Sequence, residues 1–208
     1  MSRQGAPSAL ERQEKRGAFV DRQLMWTPWE GPGLEHLHLR QEAEGIVADG
    51  LIIGLQGERP FRVRYRVTCD EQWRMRGVDL VSLGADQREL HLRIDWSGQW
   101  TTAHGEALPD LGGCAEVDIS ATPFTNTLPI RRLALPLGAA ADVPVAYIDI
   151  ADFTVTPVPQ RYTHLRAQED ETHYLYQGLL WNFRAELPVD DDGLVTDYPG
   201  LFRRVWTS

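Results

Sequence analysis

Strict alternation of apolar and polar residues is the feature that most constrains this chain. Every second residue is apolar over Phe61–Cys69 and Leu90–Trp96, and His36–Arg40 repeats the pattern. A period of two sends successive side chains to opposite faces of a strand, so each segment predicts a β-strand with one dry face. Other segments with strand composition are Gly45–Leu55, Trp73–Leu83, Tyr147–Val155, Arg161–Ala167, His173–Gln177 and Phe183–Val189.

Turn residues separate these strands at intervals of about ten residues, which predicts a mainly β antiparallel sandwich, barrel or roll. Such sheets must protect their edges, and a sheet that closes on itself can enclose a cavity. The best helix candidate is Asn126–Leu135. Thr127 is suited to cap it, and Ile130, Leu133 and Ala134 would share one face.

Composition excludes several classes of protein. The 208 residues are 42% apolar, as in a globular domain, and the net charge of −9 disfavours nucleic acid as a partner. No apolar run approaches the roughly 20 residues of a transmembrane segment. We expect a polar, flexible tail over residues 1–22 and a single domain over residues 23–208. Because no apolar stretch follows the basic residues of the tail, the cytoplasm is the expected location.

Recognised catalytic and metal-binding motifs are absent from the sequence. Gly50–Gly54 lies within a strand-like run without the lysine of a phosphate-binding loop. His36 and His38 share a strand face, but no third ligand marks a metal site. Cys69 and Cys114 lack the spacing of a redox or zinc motif. We therefore expect no catalytic residue, no metal and no cofactor.

Arginines form a row on the predicted strands. Arg62, Arg64 and Arg66 fall on one face of one strand, and Arg74 and Arg76 follow on the next. Five guanidinium groups on one surface repel unless acids or an anionic ligand lie between them. Two interpretations stay open: an outer face whose arginines pair with neighbouring acids, or a site for an anionic head group.

The segment from Asp118 to Leu133 is dense in hydroxyl, amide and charged side chains. Such groups suit a polar pocket for sugar hydroxyls, and they equally suit a turn that satisfies its own backbone. Trp96 and Trp100 flank the Ser97–Gly98 turn, where they could stack on a sugar ring or pack in the core.

Several strings resemble a bacterial domain family that was first filed as a domain of unknown function and later labelled putative glycolipid-binding. The most specific is Thr-Pro-Phe-Thr-Asn-Thr-Leu-Pro-Ile-Arg-Arg-Leu over Thr122–Leu133. The resemblance covers about residues 23–206. Further motifs in the same order are Cys69-Asp70-x-x-Trp73, Asp95-Trp96-Ser97-Gly98-x-Trp100, Gly113-Cys114-x-x-Val117-Asp118-Ile119, Gln160-Arg161-Tyr162 and Asp192-Gly193-Leu194-Val195-x-Asp197-Tyr198-Pro199.

The resemblance implies a spiral β-roll, a highly curved sheet of about fifteen strands wrapped around a single α-helix. It also implies a homodimer. The glycolipid label itself rests on likeness in shape to carriers that localise lipoproteins in the bacterial periplasm, which is an argument from fold.

The leading hypothesis is a non-catalytic binding protein for a glycolipid or related amphipathic ligand. Its apolar part would lie inside the roll and its polar head against the 118–132 segment. The candidate ligand-binding residues are Asp118, Thr122, Thr125, Asn126, Arg131, Arg132, Trp96 and Trp100, with Asp70, Trp73 and Tyr162 in second place. The alternatives are an enzyme on a sugar- or lipid-like substrate that pairs Asp118 with Asp70 or Asp95, and a structural dimer without a ligand.

Overall fold

Strand pairing follows chain order through most of the molecule. The computed structural model describes residues 21–84, 87–168 and 171–208. Within these ranges the chain forms 14 strands in two curled sheets and one short α-helix, which confirms the expected mainly β roll. The nine-stranded sheet has the order β13-β14-β1-β2-β3-β4-β5-β6-β7, and the five-stranded sheet has the order β12-β11-β10-β9-β8.

The strands of the large sheet are β1 (Asp21–Pro28), β2 (Gly33–Glu42), β3 (Gly45–Gln56), β4 (Arg59–Cys69), β5 (Met75–Ser82), β6 (Glu89–Ile94), β7 (Trp100–Thr102), β13 (Asp197–Tyr198) and β14 (Phe202–Thr207). The strands of the small sheet are β8 (Glu116–Ile119), β9 (Ala140–Ile148), β10 (Val155–Gln168), β11 (Glu171–Gly178) and β12 (Phe183–Val189). The β8–β9 pair is parallel.

Several strand boundaries differ from the sequence prediction, most clearly at Tyr147–Val155 and at Trp73. Tyr147–Val155 is not one strand, because β9 ends at Ile148 and β10 begins at Val155. Between them, the Asp149 carboxylate accepts a hydrogen bond from the backbone of Ala151 and forms a turn. Trp73 does not belong to β5 either, since it adopts φ +63° in the preceding turn.

The first strand begins slightly before the predicted end of the tail. Strand β1 starts at Asp21, so Asp21 and Arg22 belong to the sheet rather than to the tail. Arg22 donates a hydrogen bond to Asp192 at 2.5 Å, which ties this first strand to the turn after β12. Residues 1–20 of the predicted tail lie outside the described residues.

The α-helix, α1, spans Thr127–Leu133 and joins the two parts of the core. Leu128 packs with the large cluster under the nine-stranded sheet, whereas Ile130 packs with the second cluster. The prediction that Thr127 caps the helix is wrong. A 3₁₀ turn over Phe124–Asn126 precedes α1, so Thr127 already has helical dihedral angles and its hydroxyl makes no cap hydrogen bond.

At seven residues, α1 is far too short to cross a bilayer, and the described part of the chain contains no other α-helix that could do so.

Candidate functional site

Asp118 is the centre of a hydrogen-bond network that the 118–133 segment forms with β10. Its Oδ1 accepts a hydrogen bond from the Thr125 hydroxyl at 2.9 Å, and its Oδ2 accepts one from the Gln160 amide at 2.6 Å. Burial raises the pKa of Asp118, while these two hydrogen bonds favour the charged form. The carboxyl is therefore held in a fixed orientation by donors on both oxygens.

Asn126 and Tyr162 extend this network. The Tyr162 hydroxyl donates to Asn126 Oδ1 at 2.9 Å, and the Asn126 amide donates to the carbonyl of Pro123 at 3.2 Å. Four residues that the sequence singled out, Asp118, Thr125, Asn126 and Tyr162, are thus brought together. Gln160 was missed. It belongs to the Gln160-Arg161-Tyr162 string and lies two positions from Tyr162, on the same strand face.

An aromatic chamber of about 290 Å³ opens above the network. Its polar floor contains Asp118, Ser120, Thr122 and Asn126. Its walls are the aromatic residues Tyr147, Tyr176, Trp181, Phe183, Tyr198 and Phe202. No sequence pattern marks these rings as a group, because they come from three separate parts of the chain, at Tyr147, at 176–183 and at 198–202. Rings above a carboxylate and an amide are a common way for proteins to hold a sugar.

An apolar groove of about 620 Å³ adjoins the aromatic chamber, where the two sheets meet. Ser120, Tyr147, Leu201 and Phe202 line both, so the two spaces lie side by side. Much of the groove is apolar, with Trp26, Leu34, Ile52, Ile53, Leu55, Phe61, Ala121 and Ile150 among its lining residues. This size falls within the roughly 300–1,000 Å³ of ligand pockets.

Glu35 is a buried carboxyl among the lining residues of this groove. Its Oε1 accepts hydrogen bonds from the hydroxyls of Tyr65, at 2.5 Å, and Thr122, at 2.7 Å. Burial raises the pKa of Glu35 to about 7, against the opposing effect of the two hydrogen bonds. Thr122 lines the aromatic chamber, so its hydrogen bond joins Glu35, which lines the groove, to a residue of the neighbouring space.

Gly50 explains how the Tyr65 ring reaches Glu35. A Cβ atom at Gly50 would lie 2.2 Å from that ring, so only glycine leaves the space. Gly50 faces the interior between Leu37 and Tyr65 in the sheet register. Gly50, the first glycine of the Gly50–Gly54 run, therefore has a packing role and not that of a phosphate-binding glycine.

Arg131 and Trp73 lie away from this site. They line a separate charged cleft of about 560 Å³ together with Arg22, His164 and Asp190–Gly193. The Arg131 guanidinium lies 4.9 Å from the centre of the Trp73 ring. The prediction that Arg131 and Asp118 hold one head group is not met, because α1 turns the Arg131 side chain toward β12 and its following turn.

Arg132, Trp100 and Asp70 have structural partners. Arg132 forms an ion pair with the buried carboxylate of Glu116. Trp100 is 1% exposed in the core and donates to the carbonyl of Cys114, so it cannot stack on a ligand. Asp70 accepts hydrogen bonds from Arg74 and Arg76, and hydrogen bonds lower its pKa.

Trp96 is 75% exposed, and its ring lies against the guanidinium of Arg76 at 3.2 Å. It lines none of the three cavities described above. The pairing of Asp118 with Asp70 or Asp95 is absent, because the Asp95 carboxylate accepts hydrogen bonds within its own turn, from Ser97 and Gln99.

The arginine row is an outer face neutralised by acids. Arg64 pairs with Asp49 at 2.7 Å, and Arg66 lies 3.7 Å from the same carboxylate. Arg62 donates to the carbonyl of Leu83. Asp49 belongs to β3, the neighbouring strand, where it lies opposite Arg66 in the sheet register. On the same face, His38 pairs with Asp21, and the described ranges hold no cluster of three metal-ligating side chains.

Comparison with known proteins identifies relatives of this chain. A family model described as "Putative glycolipid-binding" matches residues 23–204. The chain is similar to the crystal structure of a DUF1089 family protein from Pseudomonas aeruginosa, with 38% sequence identity and a TM-score of 0.73. That similarity covers 85% of this chain and 95% of the other. No curated protein matches.

Proposed function

The chain belongs to the "Putative glycolipid-binding" family, and from that premise we propose that it is a non-catalytic binding protein for a glycolipid or related amphipathic ligand. The observation that carries the proposal is that an apolar groove lies next to an aromatic chamber with polar lining residues, and that the two share four residues. An amphipathic molecule has the same division between an apolar and a polar part.

The acyl part of the ligand would lie in the apolar groove. Ile53 and Leu55, 43% and 44% exposed, offer apolar surface there together with the partly buried Phe61, at about 25 cal/mol for each Å² removed from water. Leu201 is 41% exposed and lines both spaces, so a ligand that occupies both would lie against it.

The sugar would lie in the aromatic chamber. Asp118 and Asn126 offer oxygen acceptors to sugar hydroxyls, and Tyr147 and Trp181, whose ring centres are 5.4 Å apart, offer faces for a pyranose ring. Hydrogen bonds from Thr125, Gln160 and Tyr162 would hold these two polar side chains in position. Of the eleven residues predicted from sequence, Asp118, Thr122 and Asn126 line this chamber.

Native mass spectrometry of the protein purified from a bacterial host tests this proposal. We expect a bound lipid mass, and saturable quenching of tryptophan fluorescence by 6-O-dodecanoyl-glucose below its micelle concentration. Leu201→Asp puts a charge against both spaces and should weaken binding at least tenfold. Leu137→Asp is the matched control, because Leu137 is 67% exposed and lines none of the three cavities.

Two results would overturn the proposal. Absence of both bound lipid and saturable quenching in the folded wild-type protein would leave a structural role. Hydrolysis of the dodecanoyl ester during the titration would make the protein an enzyme instead.

The homodimer implied by the family resemblance is a further part of the proposal. It predicts that the purified protein sediments at twice the 23.6 kDa of one chain. Sedimentation velocity at several concentrations measures this, and a single species at the mass of one chain would contradict it.

A further inference from the structure

Glu35 is the one carboxyl of the apolar groove that is both buried and incompletely bonded within the described part of the chain. It is 3% exposed, and its Oε2 has no hydrogen-bond partner there, whereas Oε1 accepts two hydrogen bonds. A buried polar atom without a partner costs about 1–3 kcal/mol. Proteins retain such an atom mainly where something else satisfies it.

The two hydrogen bonds decide which oxygen carries the proton of the neutral acid. Tyr65 and Thr122 both donate to Oε1, and the Thr122 hydroxyl in turn accepts from the backbone of Phe124 at 3.0 Å, which fixes its direction. A proton on Oε1 would point at these donors. In the neutral acid the proton therefore lies on Oε2, which makes that atom a hydrogen-bond donor.

We propose that Glu35 recognises the carbonyl oxygen of an ester or amide that joins the acyl chain of the ligand to its head group. This inference rests on the proposed function. Such a linkage is the part of an acylated glycolipid that lies between chain and sugar, and Glu35 lines the apolar groove while it accepts a hydrogen bond from Thr122 of the aromatic chamber. A neutral carboxyl donor pairs with a carbonyl acceptor, which ether-linked lipids lack.

The other ionisable groups around the groove set the pH range of this recognition. Tyr65 on β4 contacts Glu35 directly. Besides Glu35 itself, the ionisable residues that line the groove are Glu30, Tyr147 and Asp149. Among the described residues, no arginine, lysine or histidine belongs to that lining, so no cation there favours the Glu35 carboxylate. The donor is thus present at acidic pH and lost as Glu35 ionises.

The experiment compares 6-O-dodecanoyl-glucose with its ether analogue, 6-O-dodecyl-glucose, by tryptophan fluorescence at pH 5.5 and pH 8.5. We expect the wild-type protein to bind the ester about tenfold more tightly at pH 5.5, the effect of one hydrogen bond, and to lose that preference at pH 8.5. Glu35→Gln keeps an N–H donor and should retain the preference at both pH values. Glu35→Leu should show none.

Each outcome separates the two claims. If the wild-type protein binds both lipids with equal affinity at pH 5.5, the role of Glu35 is wrong and the proposed function stands. If it binds neither lipid, the proposed function fails and this inference with it. If Glu35→Gln follows the same pH profile as the wild-type protein, another group controls the preference and the assignment to Glu35 is overturned.

Discussion

The two faces of strand β4 differ in how they treat charge. The outer face carries Arg62, Arg64 and Arg66, with carboxylate or carbonyl partners on the surface. The inner face carries Val63 and Tyr65, and the hydroxyl of Tyr65 meets the carboxyl of Glu35, which forms no ion pair within the described ranges. Both faces carry polar groups suited to a ligand, and the inner face contributes Phe61 to the lining of the apolar groove, whereas the three arginines line none of the three cavities described above.

This difference shows that charge density on a strand is a weak sign of a binding site. Ion pairs such as Arg64–Asp49 already satisfy both partners, and water screens them. The Glu35 carboxyl has an oxygen left over, and its burial makes any new partner matter more. A cavity beside an unsatisfied buried group therefore indicates function better than a row of charges does.

The largest expected difference in the free energy of unfolding is between two tryptophan substitutions. Trp100 lies in the core and Trp96 lies on the outer surface. Trp100→Ala should lower the free energy of unfolding by roughly 3–5 kcal/mol through loss of packing. Trp96→Ala should cost less than about 1 kcal/mol, the value of its contact with Arg76. Urea denaturation measures both, and similar costs would contradict the assigned burial.

A pair of arginines tests the same difference between buried and exposed groups. Arg132→Ala would leave the buried Glu116 carboxylate without its cation, which should cost roughly 3–5 kcal/mol. Arg64→Ala removes a partner from the more exposed Asp49 and should cost about 0–1 kcal/mol. The control is added salt, which should reduce the Arg64 effect and leave the Arg132 effect nearly unchanged when unfolding is measured by circular dichroism.

Slightly smaller than the Trp100 and Arg132 effects is the pH dependence of stability that Glu35 contributes. Its pKa rises from 4.5 to about 7 on folding, so the folded state favours the protonated form. The contribution is fully present below about pH 4.5 and is lost as pH rises to about 7, a change of roughly 3 kcal/mol.

Glu35→Gln isolates this change, because the amide that the substitution introduces does not titrate and the other acids, Asp118 included, are common to both proteins. The difference in unfolding free energy between the wild-type protein and the variant should therefore fall between pH 4.5 and pH 7. A difference that stays constant over this interval would show that Glu35 is ionised throughout.

The polar network was partly visible in the sequence. Asp118, Thr125 and Asn126 lie within one short segment, so their proximity follows from chain connectivity, and Tyr162 entered through the family resemblance. Glu35 and the aromatic walls could not be found this way. Glu35 meets Thr122 across 87 positions of chain, and nothing in either local pattern signals the contact.

Arg131 and Arg132 show the opposite error. They lie about one and a half helical turns after Asn126 in the sequence, but the helix rotates each successive side chain by about 100° and directs the two arginines to other surroundings. Residues that are close in sequence share a site only where the backbone directs their side chains to the same side of the element.

The sequence alone determined the strands, their inward and outward faces and the family, because a period of two and turn residues act within a few positions. Which inward residues line a cavity, and which contact each other, depends on the tertiary structure. That outcome depends on how the two sheets curl around α1, and the contacts between sheets join residues that no local pattern relates.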